Sequence, residues 1–223
     1  MNKLIISHLV LLLFVVGIGC KKKKEDEKEV ATASWPTITT NTSTEGITKF
    51  GTIFSTINVG ASIENVTATA YDSVLNENCI VEVISNTVNV AIPGLGYAIF
   101  KAKNSNGYIT NGTVYVGVTS IDESWNLAGI YKRTANGALV NVTKLARGLY
   151  VLDNVAGAPT FPVVGYFVQV NDSILDFPLQ PTENVGDIDC LNEKLMVTSS
   201  DTSYSWIVNS EFFGNAVRTF SRQ

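Results

Sequence analysis

Residues 97–118 read YAIFKAKNSNGYITNGTVYVGV, and this stretch decides the fold class. In Tyr97–Ala102, and again in Thr113–Val118, apolar or small side chains recur at every second position, which is the period of a strand with one buried face. Asn104–Gly107 lies between the two segments, and its Asn-Gly pair tolerates the positive φ angles of a tight turn. The stretch therefore predicts a β-hairpin.

The same alternation recurs along the chain on both sides of a polar segment, Thr119–Ser124. Before that segment it is found at Val66–Tyr71, Ile80–Val83 and Val88–Val90. After it, the alternation is found at Gly129–Arg133, Leu139–Lys144, Gly148–Asp153, Gly165–Val170, Ser173–Phe177, Leu195–Val197, Tyr204–Val208 and Ala216–Phe220. Short strands at this spacing predict an all-β protein. We expect a small β-sandwich, followed by a second antiparallel β-sandwich or barrel-like domain.

The first twenty residues have the pattern of a processing segment. Lys3 supplies a positive charge, and Leu4–Ile18 is an apolar run of about 15 residues, too short for a bilayer core that needs about 20. The run ends in Gly17-Ile18-Gly19-Cys20, which resembles the lipobox of bacterial lipoproteins. The resemblance implies that residues 1–19 are a signal peptide and that Cys20 is lipidated, so that the chain is anchored to a membrane.

A charged segment follows Cys20. Residues 21–29 read KKKKEDEKE, and such a mixed-charge run buries no apolar surface, so we interpret residues 20–33 as a tether. Within it, Lys24-Glu25-Asp26 resembles the export signal of surface lipoproteins of Bacteroidetes. That resemblance implies an outer-membrane lipoprotein on the cell surface, with attachment facing the periplasm as the alternative.

The composition excludes several classes of function. Hydrophobic residues make up 45% of the chain and charged residues 16%, which suits packed cores and not global disorder. A net charge of −4 argues against a nucleic-acid partner. The single histidine, His8, lies in the segment expected to be removed, so histidine bases and histidine-ligated metals are excluded. We therefore expect no enzyme, no metal site and no cofactor.

Two modules are similar to known ones. Pro93-Gly94, followed by Tyr97–Asn104 and Gly107, resembles the closing hairpin of bacterial Ig-like modules, which implies an Ig-like β-sandwich over residues 34–119. The second module, residues 120–223, resembles the C-terminal β-domain of a Bacteroidetes lipoprotein family of uncharacterised function. The segments that carry this second resemblance are Leu127–Arg133, Val142–Lys144, Gly148–Tyr150 and Asp153-Asn154.

Some members of that family are encoded beside starch-utilisation-type glycan-uptake systems. The resemblance thus implies a non-catalytic accessory protein that binds glycan within a polysaccharide-capture complex, with a polysaccharide or other outer-membrane proteins as partners. The alternative is a structural or protein-interaction lipoprotein of the envelope with no small ligand.

Aromatic side chains are the candidate ligand-binding residues, because their faces stack on sugar rings. We single out Trp35, Trp125 and Phe161, the last in the proline-flanked loop Gly157–Pro162. Trp206 alternates with Tyr204 and Val208 on one strand, so we expect it in the core instead.

The remaining polar groups predict little chemistry. Asp187 and Asp189, with Glu183 and Glu193 nearby, lack the spacing of a calcium loop and are interpreted as solvated acids. Cys79 and Cys190 are expected to be two separate buried thiols, with a disulfide between them as the alternative.

Overall fold

The computed structural model describes residues 32–40, 46–47, 52–62 and 66–223, and residues 33–223 form one compact unit. The predicted signal peptide 1–19, the predicted lipidation of Cys20 and the tether as far as Ala31 lie outside the described residues. Every regular element of the described part is a β-strand. No helix in that part is therefore long or apolar enough to cross a membrane.

The prediction of an all-β protein is confirmed, because the described residues form sixteen strands in two sheets. The first sheet has the strand order β1-β4-β5-β6-β7-β3-β2. Its strands are β1 (Thr37–Thr40), β2 (Gly46–Ile47), β3 (Ile53–Asn58), β4 (Ala68–Asp72), β5 (Glu77–Asn86), β6 (Gly94–Lys103) and β7 (Ile109–Thr119). All its pairs are antiparallel except β3–β7, which is parallel and departs from the antiparallel expectation.

The hairpin predicted at Asn104–Gly107 joins β6 to β7. The backbone N of Asn104 donates to the Tyr108 carbonyl at 3.1 Å, and Gly107 has a φ of +88°. The strand predicted at Val88–Val90 is wrong, because these residues form the bend between β5 and β6. Val88 is nonetheless buried in the first core, so its apolar side chain packs there although its backbone belongs to no strand.

The second sheet has the strand order β12-β11-β10-β9-β8-β16-β15-β14-β13 and is wholly antiparallel. Its strands are β8 (Gly129–Arg133), β9 (Leu139–Ala146), β10 (Leu149–Leu152), β11 (Gly165–Gln169), β12 (Leu175–Asp176), β13 (Gln180–Thr182), β14 (Gly186–Val197), β15 (Thr202–Asn209) and β16 (Val217–Arg222). The sheet curls so that β12, at one end, approaches β14, the strand next to the other end, where the backbone N of Cys190 donates to the Phe177 carbonyl at 3.2 Å.

Aromatic side chains fill the inside of the curled second sheet. Trp206 is fully buried there, as predicted, and its indole N–H donates to the Val155 carbonyl at 3.0 Å. Its ring lies 4.6 Å from that of Tyr204 and 5.7 Å from that of Phe177. Aromatic contacts of this kind contribute about 0.5–1.5 kcal/mol each beyond the apolar area they bury.

A third core joins the two sheets. Phe54 of β3 is fully buried, and Tyr166 of β11 stacks on its ring at 5.1 Å. Hydrogen bonds border this core: the Thr119 hydroxyl donates to the Gln169 carbonyl at 3.0 Å, and the Thr56 hydroxyl donates to the Arg147 carbonyl at 2.6 Å. The sheets divide the chain between Thr119 and Gly129, and the independence of domains 34–119 and 120–223 stays a prediction.

Both cysteines of the described part are free thiols. Cys190 is buried, as expected, and burial raises the pKa of its thiol. Cys79, on β5, is only half-buried, so the expectation of burial is wrong for this residue.

The junction between the sheets depends on the absence of a side chain at Gly117. A Cβ at this position would lie 2.3 Å from Cγ1 of Val168, which is fully buried and whose branched side chain has few rotamers to move into. We expect Gly117→Ala to lower the free energy of unfolding by about 1–3 kcal/mol, measured by urea denaturation. Gly94→Ala is the matched control in the same sheet, because its Cβ would meet nothing within 4 Å. Equal stability of the two variants would contradict this account.

Candidate functional site

The three predicted ligand-binding aromatics lie in different parts of the fold. Trp35 precedes β1, is 60% exposed, and makes an edge contact with Tyr108 at 5.2 Å. Trp125 lies in the segment between the sheets and packs, half-buried, against the core of the second sheet. Phe161 is also half-buried against that core, and its ring lies 4.7 Å from that of Phe212. Of the three, only Phe161 has its ring in contact with another aromatic side chain that is exposed.

Phe212 is that residue, and sequence reasoning missed it. Its side chain is 58% exposed and borders a cleft of about 560 Å³. The hairpin between β13 and β14, including the start of β14, and the loop between β15 and β16 line this cleft, which we call the Phe212 cleft. Its lining residues are Asn184, Val185, Asp187, Ser210, Glu211 and Phe212. The cleft thus combines one exposed ring with an amide, a hydroxyl and two carboxylates.

The loop between β15 and β16 positions Phe212. The neighbouring Phe213 packs against the core of the second sheet, and its backbone N donates to the Ser210 carbonyl at 3.2 Å. Gly214 follows with a φ of +66°, which lets the loop turn back toward β16. With Phe213 held inward, its neighbour Phe212 lies at the surface.

A buried arginine holds the same loop. Arg218 of β16 is only 4% exposed, and its guanidinium donates to the carbonyls of Phe213 at 2.6 Å and Ala216 at 2.7 Å. The guanidinium also lies 5.7 Å from the centre of the Phe213 ring. Burial, and then the charge of Arg133, lowers the pKa of Arg218. Charge-assisted hydrogen bonds are about twice as strong as neutral ones, so this arginine fixes the shape of the loop.

The loop that carries Phe161 is fixed from both of its sides. Asn154 bridges it, because its amide donates to the Ala158 carbonyl at 2.9 Å and accepts from the Ala158 backbone N at 3.1 Å. The Gly157 carbonyl accepts from the side-chain amide of Asn136 at 3.0 Å. The loop is thus stiff, but only its tip is exposed, and Phe161 lies behind Phe212 as its support.

The hairpin between β13 and β14 forms the opposite wall of the cleft. The Thr182 hydroxyl donates to the Gly186 carbonyl at 2.6 Å and closes the hairpin. Val185 packs against the core, whereas Asn184 and Asp187 are exposed and border the cleft. Both walls therefore have a packed apolar side chain beneath and polar side chains above.

This set of side chains suits an uncharged polyhydroxylated ligand. A sugar ring presents an apolar face of C–H groups that packs on an aromatic ring, and hydroxyl groups that donate to carboxylate and amide oxygens. The described residues contain no group of three or more histidine, cysteine or acidic side chains that could hold a metal ion. The cleft thus presents an apolar ring, Phe212, and two carboxylate side chains, Asp187 and Glu211.

The acids with raised pKa values lie elsewhere, where β12 meets β14. Burial and the charge of Glu193 raise the pKa of Asp176 to about 6. Burial also raises the pKa of Glu193, whose carboxylate accepts from the Phe177 backbone N at 3.4 Å. The two pKa values move in the same direction, and neither acid lines the Phe212 cleft. This pair bears on stability and gives no acid and base for chemistry in the cleft.

Asp176 makes the stability depend on pH. The folded chain holds the carboxyl proton of Asp176 more tightly than the unfolded chain does. Protonation therefore adds to the free energy of unfolding. This stabilisation is fully present below pH 3.8 and is lost as the pH rises through about 6. Asp176→Asn never ionises, so we expect a gain of about 1–2 kcal/mol in the free energy of unfolding at about pH 7.5 and none at about pH 4. Urea denaturation at both pH values measures it.

Asp172→Asn is the control for the loss of an acidic side chain, because Asp172 is exposed on the neighbouring loop. Glu193 acts in the same direction as Asp176 and remains in both variants. A gain for Asp176→Asn that is equal at the two pH values would show that burial, and not ionisation, sets the effect.

One solved structure similar to this chain is the crystal structure of the lipoprotein BT2262 from Bacteroides thetaiotaomicron. The two chains are 20% identical, and the match covers 84% of this chain and 100% of that chain with a TM-score of 0.35. No protein-family model matches the sequence, and no curated protein matches it. The chemistry of the cleft therefore rests on its own side chains.

Proposed function

We propose that this chain is a lipid-anchored, non-catalytic glycan-binding protein of the outer membrane, and that the Phe212 cleft is its binding site. The observation that carries the proposal is the exposed Phe212 ring bordered by Asp187 and Glu211. The anchor is supported by the lipobox-like sequence that ends at Cys20, and the surface location by Lys24-Glu25-Asp26. The proposed role is that of an accessory component in polysaccharide capture.

The size and construction of the cleft support binding. Its volume of about 560 Å³ lies within the range of roughly 300–1,000 Å³ of small-molecule sites. Arg218 and Asn154 fix the two loops that carry the aromatic side chains before any ligand arrives. A site that is already ordered loses less conformational entropy on binding, which favours affinity.

A role without catalysis is supported by the distribution of acids and bases. The one histidine, His8, lies in the predicted signal peptide. Asp176 and Glu193, the carboxyl groups whose pKa values are raised, lie outside the cleft. Glycoside hydrolysis needs two carboxyl groups with different protonation states, one on either side of the bond that is broken. Asp176 and Glu193 lie outside the cleft, so they do not flank a sugar that is bound there.

Removal of the exposed ring is the direct test. We expect Phe212→Ala to weaken binding at least about tenfold, because a buried phenylalanine side chain contributes roughly 1.5–3 kcal/mol and 1.4 kcal/mol is a factor of ten. The measurement is affinity electrophoresis of the mature chain in detergent, through gels that contain a panel of polysaccharides. Retardation by one polysaccharide, lost in Phe212→Ala, is the expected result.

Trp35→Ala and Leu139→Ala are the controls, since both residues are strongly exposed and lie outside the cleft. Trp125→Ala and Phe161→Ala test the other two predicted aromatics, and Phe161→Ala should act through the position of Phe212. Loss of retardation in Trp35→Ala alone would move the site to the first sheet. Uniform mobility through the whole panel would favour the protein-interaction lipoprotein.

The charge of the cleft predicts which glycans it accepts. The two ionisable side chains that line it, Asp187 and Glu211, are acids, so a sulfate or carboxylate group on the sugar would meet like charges. We expect a polysaccharide that retards the chain to retard it less once it is sulfated or carboxymethylated. The double variant Asp187→Asn with Glu211→Gln should narrow this difference. Equal retardation of wild type by the neutral and charged forms would exclude a role for these acids in selection.

A further inference from the structure

The chain enters the first sheet at a well-fixed point. The Ser34 hydroxyl donates to the Asp72 carboxylate at 2.8 Å. The side-chain amide of Asn104 donates both to the Ser34 carbonyl at 3.0 Å and to the Asp72 carboxylate at 2.8 Å. All three residues are buried. Ser34, close to the start of the described chain, therefore lies at the end of the first sheet where the β6–β7 turn lies.

Exposed apolar side chains gather at this same end. Strand register places Ile80 opposite Lys103, and Lys103 opposite Ile109, so these three side chains form a row on the outer face of β5, β6 and β7. Ile80 is 83% exposed and Ile109 is 44% exposed. Trp35, exposed by 60%, packs on Tyr108, the residue that directly precedes Ile109. We call Trp35, Ile80, Lys103 and Ile109 the entry face.

We propose that the entry face rests on the lipid bilayer that holds Cys20. The inference rests on the anchor of the proposed function, and it is independent of glycan binding. Fifteen residues of chain lead from Cys20 to Trp35, and even when fully extended they span at most about 50 Å. The anchor thus keeps the point where the described chain begins within about 50 Å of the membrane, and that point lies beside the entry face.

The side chains of the entry face suit the interface between lipid and water. Tryptophan is enriched at that depth, because its ring is apolar and its N–H still reaches water. The isoleucines lose apolar surface to lipid, at roughly 25 cal/mol for each Å² removed from water. Lys103 can lay its aliphatic part along that surface and keep its ammonium group at the headgroups.

The charged side chains beside the entry face indicate whether its contact with lipid depends on the charge of the headgroups. A hollow of about 520 Å³ adjoins the entry face, and the ionisable groups around it include two acids, Glu77 and Glu82, and two lysines, Lys101 and Lys103. Lys101 and Glu82 pair at 3.4 Å. With these charges balanced, contact with lipid comes from the apolar side chains, so we expect no dependence on anionic lipid.

The entry face lies at the strand ends beside the β6–β7 turn, so contact through these ends sets the strands upright on the bilayer and places the second sheet away from the membrane. Strand β7 runs from Ile109 at the entry face to Thr119, whose hydroxyl bonds to the second sheet at Gln169. Its eleven residues span about 33 Å. The first sheet thus acts as a spacer between the bilayer and the sheet that carries the Phe212 cleft.

The test uses the full mature chain, lipidated at Cys20 and reconstituted into vesicles whose lipids carry brominated acyl chains. Bromine quenches the fluorescence of a tryptophan within the bilayer. We expect quenching of the wild type, and its loss in Trp35→Phe, because Trp206 is buried in the protein and Trp125 packs on the second core. Zwitterionic vesicles and vesicles enriched in anionic lipid should give the same quenching.

A double variant, Ile80→Asn with Ile109→Asn, should reduce the quenching without touching Trp35. Its matched control is Ile130→Asn with Leu139→Asn, a pair exposed on the second sheet, which should leave quenching unchanged. Quenching of the wild type that is no greater than that of Trp35→Phe, on a chain whose Cys20 carries lipid by mass spectrometry, would overturn the inference alone. An unmodified Cys20 would contradict both the lipid anchor and the contact of the entry face with the bilayer. Failure to bind glycan would contradict the glycan-binding proposal alone.

Discussion

The stack of Phe54 between Tyr115 and Tyr166 is the contact on which the arrangement of the two sheets depends. Phe54 is fully buried, with ring distances of 5.5 Å to Tyr115 of its own sheet and 5.1 Å to Tyr166 of the second sheet. A close-packed core of this kind admits few alternative positions, because every shift opens a void or creates an overlap. The Thr119 hydroxyl bond beside it fixes the end of β7 against β11.

Within the second sheet, a buried charge serves the loops and not the core. Removing a guanidinium from water costs several kcal/mol, and Arg218 offsets that cost by hydrogen bonds to two loop carbonyls and a contact with the Phe213 ring. A hydrophobic residue at this position would leave those carbonyls without their donor. The buried charge of Arg218 thus stabilises one conformation of the loop between β15 and β16. This loop is the one that exposes Phe212 to solvent.

Local pattern predicted those parts of the fold in which one face of a strand is buried. The β6–β7 hairpin and the burial of Trp206 follow from alternation and turn chemistry, and both are confirmed. Strand β3 was not predicted, because its two faces serve different cores: Ile53 and Ile57 pack in the first core and Phe54 in the third, so no alternation remains. The proline-flanked loop led to Phe161, but exposure of Phe212 depends on the inward position of Phe213, which only tertiary packing sets.

The physical value of the first sheet, in the function proposed, lies in its stiffness. A binding site on a long flexible chain samples many heights and orientations above a membrane, and each binding event must select among them at a cost in entropy. Two sheets joined by a shared core and by side-chain hydrogen bonds remove that choice for the part of the molecule between the entry face and the cleft. Contact of Trp35, Ile80 and Ile109 with lipid would remove the remaining tilt. The first sheet and the sheet that carries the cleft then act as one body, and in the function proposed this body holds the cleft at a fixed height where a polysaccharide chain can reach it.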